Sequence, residues 1–520
     1  MKRSNLVLLI AVGISAITFS SCATSEKTED KANSDVLMSK AALDSNEVAN
    51  ALPFTIEFVE QNYGAKAALP SLQSYASAMN QAGELFIAGG RRQGLHTFNP
   101  APATNFEKDS ANNFLFILDP VAGDQWSFDV NQLGDELSAP LQATNLQSYH
   151  DEASDYMYIV GGYGWKADGS NMVTFGTVIR FKLEDVSAAI KSGASASSIK
   201  SMMQIGKDDR LAITGGELFM LNGSFYLVFG QKFDGQYRAF GGTDFTQEYS
   251  NQFRVFRLDP QTLKVTAYGA TPNSGADQPF HRRDGNILES IDPTTGMENI
   301  TALGGVFRPG IIGGYDYPIY ISSPSGVAMD STVHQRFSQY ECPVITVYNE
   351  TAQDTSVYHT MFGGISMYYY SQTPDQQAAF DTVTAQGRND GLPFIADIST
   401  FQKSSSGTYQ EFIQPNPISG NRLLGSSINF IENRSLEADL MAFDNGVIRL
   451  ANVPSGTKIL AGYIYGGIEA QYPFPSIPNQ GTWVSNTVFA VYVTNSPSGA
   501  IPASFGKKAR NGAPLTRLPH

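Results

Sequence analysis

Six apolar runs that end in glycine constrain the fold of this 520-residue chain more than any other feature. Each run is rich in aliphatic and aromatic residues, as a buried strand is, and stops at Gly-Gly or, once, at Phe-Gly. The runs are residues 85–90, 156–162, 225–230, 300–305, 358–364 and 464–467, about 75 residues apart on average. A strand-rich unit that recurs at such an interval indicates a repeat architecture such as a propeller.

Further strands are predicted within each unit. Residues 113–118 and 252–258 are apolar runs that each end at Asp-Pro, and proline stops a strand because it fixes φ and cannot donate to the ladder. The tetrapeptide Leu-Gln-Ser-Tyr stands before the first two Gly-Gly ends, at 72–75 and 146–149, which predicts two units in register. Four short strands per unit make a propeller blade, with long loops between them.

The glycine ends resemble those of kelch-repeat propellers, in which the pair closes the second strand of each blade and a downstream tryptophan packs between blades. Trp126 stands at that position in the first unit, and the later units lack it. The segment 362–366, Phe-Gly-Gly-Ile-Ser, followed by three tyrosines at 368–370, also resembles exported Bacteroidetes kelch-like proteins. That second resemblance implies no activity.

We therefore predict an all-β, kelch-type propeller of six blades over residues 51–496, followed by a C-terminal tail at 497–520. Residues 54–60 alternate apolar and polar side chains, as a half-buried strand does. This strand is predicted to pair with residues 487–493 and close the ring, because an open sheet edge is a liability. A single helix is predicted at 183–191, with a Ser/Ala/Gly-rich stretch after it.

The N-terminus predicts export and a lipid anchor. Lys2 and Arg3 precede an apolar stretch, 6–19, that is too short to cross a bilayer, and small residues lead to Cys22. This pattern resembles a bacterial lipobox, which implies a signal peptide at 1–21 and a diacylated Cys22. Residues 22–50 are predicted to be a flexible tether. The predicted location is the bacterial outer membrane, with periplasm-facing and surface-exposed placements both open.

The acidic composition limits the partners of the chain. The formal net charge of −14 argues against nucleic acid, since such binding relies on clustered lysine and arginine. The expected partners are the membrane, through the N-terminal lipid, and a glycan, an anionic small molecule or an envelope protein.

Ligand-binding candidates are the polar residues near the starts of the units and after the glycine ends, because the ends of inner strands meet at a propeller's central channel. They are Tyr75, Arg91, Arg92, Tyr149, His150, Asp209, Arg210, His281, Arg282, Arg283, Arg308 and Glu341. Arginine binds carboxylates and phosphates through paired hydrogen bonds, so several around one channel would form an anion site. Alternatively, these arginines pair with acidic residues of neighbouring blades and hold the ring together.

No cofactor is predicted. A transition metal is the less favoured alternative, and its competent ligands would be His150, Asp151, Glu152, His281, Glu341 and Cys342. The sequence contains no His-Glu-x-x-His, Cys-x-x-Cys or calcium-loop motif to support it. Cys342 is interpreted as a small buried hydrophobic residue.

The leading functional hypothesis is a non-enzymatic, lipid-anchored propeller that binds a glycan, a small anion or a protein partner. The alternative is a kelch-type enzyme, either an epimerase or lyase that acts on a sugar acid with His and Glu as acid and base, or a metal-dependent oxidase. The fold alone does not choose between them, because propellers host unrelated functions.

Overall fold

The computed structural model describes residues 52–96, 105–238, 242–272, 278–306, 308–309, 313–351, 355–366, 369–372, 378–381, 392–473, 481–498 and 501–502. Strands dominate these residues, and six mainly antiparallel sheets follow one another along the chain. We number them sheets 1 to 6 in chain order, and name the strands of each sheet from first to fourth. The predicted all-β class is confirmed.

The first three sheets each have four strands, in sequence order. Sheet 1 contains Ala76–Met79, Leu85–Ala88, Phe114–Leu118 and Gln125–Asp129. Sheet 2 contains Gln147–Asp151, Tyr156–Val160, Thr177–Lys182 and Gln204–Lys207. Sheet 3 contains Glu217–Leu221, Ser224–Val228, Phe253–Leu258 and Val265–Thr271.

The other three sheets repeat this arrangement with additions at their edges. Sheet 4 contains Asn286–Ile291, Glu298–Leu303, Ile319–Ile321 and Val327–Met329. Sheet 5 contains Val344–Glu350, Thr355–Phe362, Ile398–Ser404 and Tyr409–Ile413, flanked by the short strands Ile448–Arg449 and Ile501–Pro502. Sheet 6 contains Phe430–Glu432, Lys458–Tyr465, Val488–Thr494 and, as its fourth strand, Thr55–Glu60.

The N-terminal strand lies beside the last long strand of the chain. Thr55–Glu60 pairs antiparallel with Val488–Thr494, from Thr55 opposite Thr494 to Glu60 opposite Phe489. The ring of Phe58 stacks on that of Phe489, with centroids 4.1 Å apart. The two segments therefore pair as the sequence predicts.

Each glycine end lies directly after the second strand of a sheet, the position that the kelch resemblance implies. The second glycine has a positive φ, and in five of the six sheets its N–H donates to a carbonyl that precedes the next sheet. These bonds are 2.8–3.1 Å long and join Gly90 to Ala143, Gly162 to Ile213, Gly230 to Arg282, Gly364 to Leu424 and Gly467 to Leu72. The bond from Gly467 joins sheet 6 to sheet 1. At Gly161 a Cβ atom would lie 2.1 Å from the Ile213 carbonyl, so only glycine fits.

Apolar cores fill the spaces between consecutive sheets. Trp126 is half-buried against the cluster that joins sheets 1 and 2, and Lys191 Nζ lies 4.6 Å from the centroid of its ring. One large cluster contains Tyr358 of sheet 5, Val491 of sheet 6 and Leu85 of sheet 1. Buried apolar surface therefore continues from the last sheet to the first, and its burial is the main stabilising contribution.

Helices and small sheets occupy the connections. Helix Leu183–Lys191 is as predicted, whereas Asp135–Leu141, Ala196–Met202 and Ser435–Ala438 are helices that the sequence pattern missed. Short 3-10 helices lie at Lys108–Ser110, Val130–Leu133, Asp209–Leu211, Gln278–Phe280, Ser419–Asn421 and Leu450–Asn452. The expectation of a single helix is wrong, because Ser195 accepts a hydrogen bond from Ser198 N and caps a helix in the Ser/Ala-rich stretch.

Three small sheets complete the described structure. The first contains Tyr163–Trp165, Met172–Thr174, Gln231–Asp234 and Thr246–Tyr249. The second contains Leu423–Ser426, Ile468–Ala470 and Thr482–Val484, and the third Tyr369–Gln372 and Ala378–Asp381. No helix of the described ranges is long and apolar enough to cross a membrane. The predicted signal peptide, Cys22, the tether and most of the predicted tail lie outside those ranges.

Candidate functional site

A ring of six residues stands just before the first strands of the six sheets. Each has a φ between 49° and 64°, an uncommon conformation for the five that are not glycine. We call this set the mouth ring: Ser74, Asn145, Gly215, Asp284, Glu341 and Ser427.

Backbone hydrogen bonds connect the mouth ring. N–H groups donate to carbonyls at 2.7–3.1 Å from Asn145 to Ser74, Ser74 to Ser427, Ser427 to Glu341, Glu341 to Asp284, and Asp284 to Gly215. Between sheets 2 and 3, the Thr214 hydroxyl donates to the Asn145 carbonyl at 3.2 Å. The starts of the six sheets therefore meet around one axis.

Two cavities lie along this axis, and the mouth ring borders both. The mouth cavity has a volume of about 260 Å³ and lies on the side of the glycine ends. The channel cavity has a volume of about 250 Å³ and runs between the first strands of the six sheets. Ser74, Asn145, Asp284, Glu341 and Ser427 line both cavities.

The residue directly after each glycine end lines the mouth cavity. These residues are Arg91, Tyr163, Gln231, Val306, Ile365 and Ile468, each at most 5% exposed. Each one pairs with a residue just before the mouth ring, as Arg91 does with Gln73 and Tyr163 with Thr144. The glycine repeat therefore places one buried side chain per sheet at the mouth.

Arg91 is a buried cation at this mouth. Its side chain donates from Nη2 to the Glu107 carbonyl at 2.6 Å and to Gln93 Oε1 at 2.8 Å. Within the described part of the chain it forms no ion pair, and its Nε has no hydrogen-bond partner. Burial lowers the pKa of Arg91 to about 10, so the guanidinium keeps its charge at neutral pH.

The second arginine of the mouth cavity has an acidic partner. Arg283 Nε lies 3.2 Å from Asp284 Oδ2, and its Nη1 donates to Gln231 Oε1 at 2.8 Å. Asp284 is also hydrogen-bonded to Glu341, and burial together with the charge of Asp284 raises the pKa of Glu341 well above its usual range. Arg283 thus has an acidic partner in Asp284, whereas Arg91 forms no ion pair within the described ranges.

The channel cavity is rich in carboxylates. Burial raises the pKa of Glu217 to about 8, and burial and the charge of Glu432 raise the pKa of Glu289 well above its usual range. The arginine of this cavity, Arg434, pairs with Glu152 and with Glu432 at 2.9 Å each. Because its guanidinium already has acidic partners, this cavity does not favour an anion.

Half of the predicted ligand-binding residues line these cavities. Arg91 and Arg283 line the mouth cavity, and Glu341 lines both. The channel cavity is lined by Tyr75, whose hydroxyl donates to the Tyr465 carbonyl, and by Tyr149 and His150.

The other six predicted residues line neither cavity, and their contacts explain why. Arg92 is exposed, with its guanidinium 5.9 Å from the Phe114 ring centroid. Arg210 pairs with Asp208 at 2.6 Å beside the exposed Asp209, and Arg308 pairs with Asp316 at 3.3 Å. His281 stacks on Tyr249 at 3.7 Å. Arg282 is 1% exposed and donates to the carbonyls of Pro279, Gly304 and Tyr317, so it supports the backbone.

The described residues contain no group of three or more His, Cys, Asp or Glu side chains placed to hold a metal ion. Cys342 is buried, and its Sγ accepts a hydrogen bond from Asn286 Nδ2 at 3.3 Å. Burial raises the pKa of the Cys342 thiol to about 12, which disfavours the thiolate that metals bind.

Sequence reasoning did not select Gln231, Val306, Ile365 and Ile468 as site residues. The signal was nevertheless in the repeat, because each directly follows a glycine end. Three of the four are apolar, so they lack the polar groups by which the ligand-binding candidates were predicted.

In comparisons with known proteins, no family model matches the chain, and no curated protein matches its sequence. Among solved structures, it is similar to YjhT, with a TM-score of 0.41 and 13% sequence identity over 83% of this chain and 100% of YjhT. A similarity this low carries no argument about function.

Proposed function

We propose that this protein binds a small organic anion in the mouth cavity, with Arg91 as the group that holds its charge. The observation that carries the proposal is a guanidinium that is 3% exposed, lines a cavity and forms no ion pair within the described ranges. An unpaired buried charge is costly, and a ligand carboxylate would balance it through charge-assisted hydrogen bonds.

The cavity supports a binding role over the other hypotheses. Its volume of about 260 Å³ suits a small molecule better than a glycan chain or a protein segment. His150 and Glu341, which could supply the acid and base of the enzyme hypothesis, both line the channel cavity. The arginine of that cavity, Arg434, is already paired with Glu152 and Glu432, so it does not offer the substrate carboxylate a free partner. Binding is therefore the function that the geometry supports best.

A comparison of acids with their amides tests the proposal. Octanoate, benzoate and glucuronate are each titrated into the protein by calorimetry beside octanamide, benzamide and glucuronamide. At least one acid is expected to bind, and its amide to bind roughly 10- to 150-fold more weakly, since hydrogen bonds to charged groups contribute about 1.5–3 kcal/mol. Equal affinity for acid and amide would contradict the proposal.

We propose that the six sheets are the blades of a closed, six-bladed kelch-type propeller. Two observations support closure. The N-terminal strand Thr55–Glu60 pairs with Val488–Thr494 within sheet 6, and bonds from Gly467 to Leu72 and from Ser74 to Ser427 join sheet 6 to sheet 1. Closure removes the exposed strand edges that promote aggregation.

We also propose that Cys22 carries a lipid that anchors the propeller to the bacterial outer membrane. The Cys22→Ser variant is expected to move from the membrane fraction to the soluble fraction, because the acyl chains supply the membrane affinity. The Cys342→Ser variant is the matched control and should stay with the membrane. Membrane retention of Cys22→Ser would exclude lipid anchoring at this residue.

A further inference from the structure

The mouth cavity is chemically divided between its two halves. The residues after the glycine ends are polar in sheets 1 to 3, where they are Arg91, Tyr163 and Gln231. In sheets 4 to 6 they are aliphatic: Val306, Ile365 and Ile468. Because the sheets follow one another around the axis, the polar and aliphatic sets occupy different halves of the cavity.

The three aliphatic side chains offer no polar atom to a ligand, and the polar side chains that sheets 4 to 6 add beside them, Asp284, Glu341 and Ser427, are hydrogen-bonded to one another. Val306, Ile365, Ile468 and Phe394 belong to one buried cluster, and Leu392 packs against it and also lines the cavity. The backbone there is already used, since the carbonyls of Val306 and Ile365 accept from the N–H groups of their bridge partners at 2.8 and 2.9 Å. Sugar hydroxyls placed against Val306, Ile365 and Ile468 would lose their hydrogen bonds to water without replacement.

The polar half combines the charge of Arg91 with side chains that already bond within the protein. The Tyr163 hydroxyl donates to the Gly235 carbonyl at 2.6 Å and accepts from Tyr237 N at 2.9 Å. Gln231 Oε1 accepts from Arg283 and from Gln247 at 2.8 and 2.6 Å. Because these oxygens already have partners, the charge of Arg91 is the strongest attraction that this half offers an anion, beside the uncharged amides of Gln73 and Gln93.

We propose that the ligand is an amphipathic monocarboxylate, with its carboxylate on Arg91 and an aliphatic chain or hydrophobic ring against Val306, Ile365 and Ile468. This inference rests on the proposed function and names its ligand class. The cavity volume of about 260 Å³ limits the apolar part to a short or medium length. This class does not include the sugar acids that the sequence suggested, because their hydroxyls would find no hydrogen-bond partners on the aliphatic side chains.

Butanoate, hexanoate, octanoate and glucuronate, titrated separately into the full protein by calorimetry, test the inference. Affinity is expected to rise by roughly fourfold for each added methylene group until the cavity is filled, because each buried methylene contributes a similar increment. Octanoate is expected to bind at least about tenfold more tightly than glucuronate, whose hydroxyls would be desolvated without partners.

Two variants change the aliphatic half alone. Val306→Thr keeps the shape of the side chain and adds a hydroxyl, and it is expected to weaken octanoate at least about fivefold. Val121→Thr, at a position that is 72% exposed, is the matched control and should leave the affinity unchanged. Leu392→Gln, at a partly exposed position, repeats the test if Val306→Thr fails to fold.

The outcomes separate this inference from the proposed function. Binding that depends on Arg91 and grows with chain length supports both. Binding of glucuronate in preference to octanoate, with loss in Arg91→Met, overturns the amphipathic class and leaves anion binding standing. The class is also overturned if affinity does not rise from butanoate to octanoate, or if the variants of the aliphatic half bind octanoate as tightly as the wild-type protein does. If no probe binds in an Arg91-dependent manner, the proposed function fails and this inference with it.

Discussion

Replacing Phe54 with alanine is expected to lower the free energy of unfolding by about 3–5 kcal/mol, the usual cost of removing a buried aromatic ring. Phe54 is fully buried just before the N-terminal strand of sheet 6, and its ring packs edge-on against Tyr358 of sheet 5 at 5.4 Å. The change would remove a large part of a typical stability of about 5–15 kcal/mol. Urea unfolding followed by circular dichroism measures it.

The matched control is Tyr472→Ala, which removes an aromatic ring that is 56% exposed. Its effect should stay within about 0.5 kcal/mol, as for most surface substitutions. A cost below about 1 kcal/mol for Phe54→Ala would mean that the N-terminal segment does not help to hold the sheets together.

Much of the fold could be predicted from the sequence because it depends on local signals. The glycine ends mark the second strands, since only glycine accepts the backbone conformation and close approach found at positions such as Gly161. The alternation in residues 54–60 likewise predicts a strand that is buried on one face.

The duplicated tetrapeptide did not predict the register of the first two sheets. Leu-Gln-Ser-Tyr suggested that Ser74 and Ser148 are equivalent, yet the residue that matches Ser74 in the mouth ring is Asn145. The prediction of register is therefore wrong by three residues. Register is set by pairing with the residue after each glycine end, and Gln73 and Thr144 hold that role. A shared tetrapeptide does not show which residue pairs with the residue after the glycine end.

The sequence identified some of the residues that line the cavities, but it did not separate them from their neighbours. Arg91 and Arg283 were named from the sequence, but so were their neighbours Arg92 and Arg282, which lie outside the cavities. Adjacent residues in extended backbone point to opposite sides, and the sequence does not say which side faces the axis. The excess of arginine suggested an anion site formed by several guanidinium groups, whereas Arg210, Arg283 and Arg308 already have acidic partners.

Replacing Arg91 with methionine is expected to abolish most anion binding. Octanoate affinity should fall at least about 100-fold, since losing the partner of a buried charge costs on the order of 3 kcal/mol. The folded protein should not lose stability, because replacing an unpaired buried charge with an apolar side chain of similar length is often neutral or stabilising. Loss of binding without loss of stability would separate a ligand-binding role of Arg91 from a structural one.

Calorimetric titration of octanoate into the wild-type protein, Arg91→Met and Arg92→Met tests the central claim most directly. Arg92 is the adjacent arginine, exposed and outside both cavities, so the two variants remove the same charge from the same segment. Anion binding at the mouth cavity predicts wild-type affinity for Arg92→Met and a loss of at least about 100-fold for Arg91→Met. Equal affinity in all three proteins would contradict it.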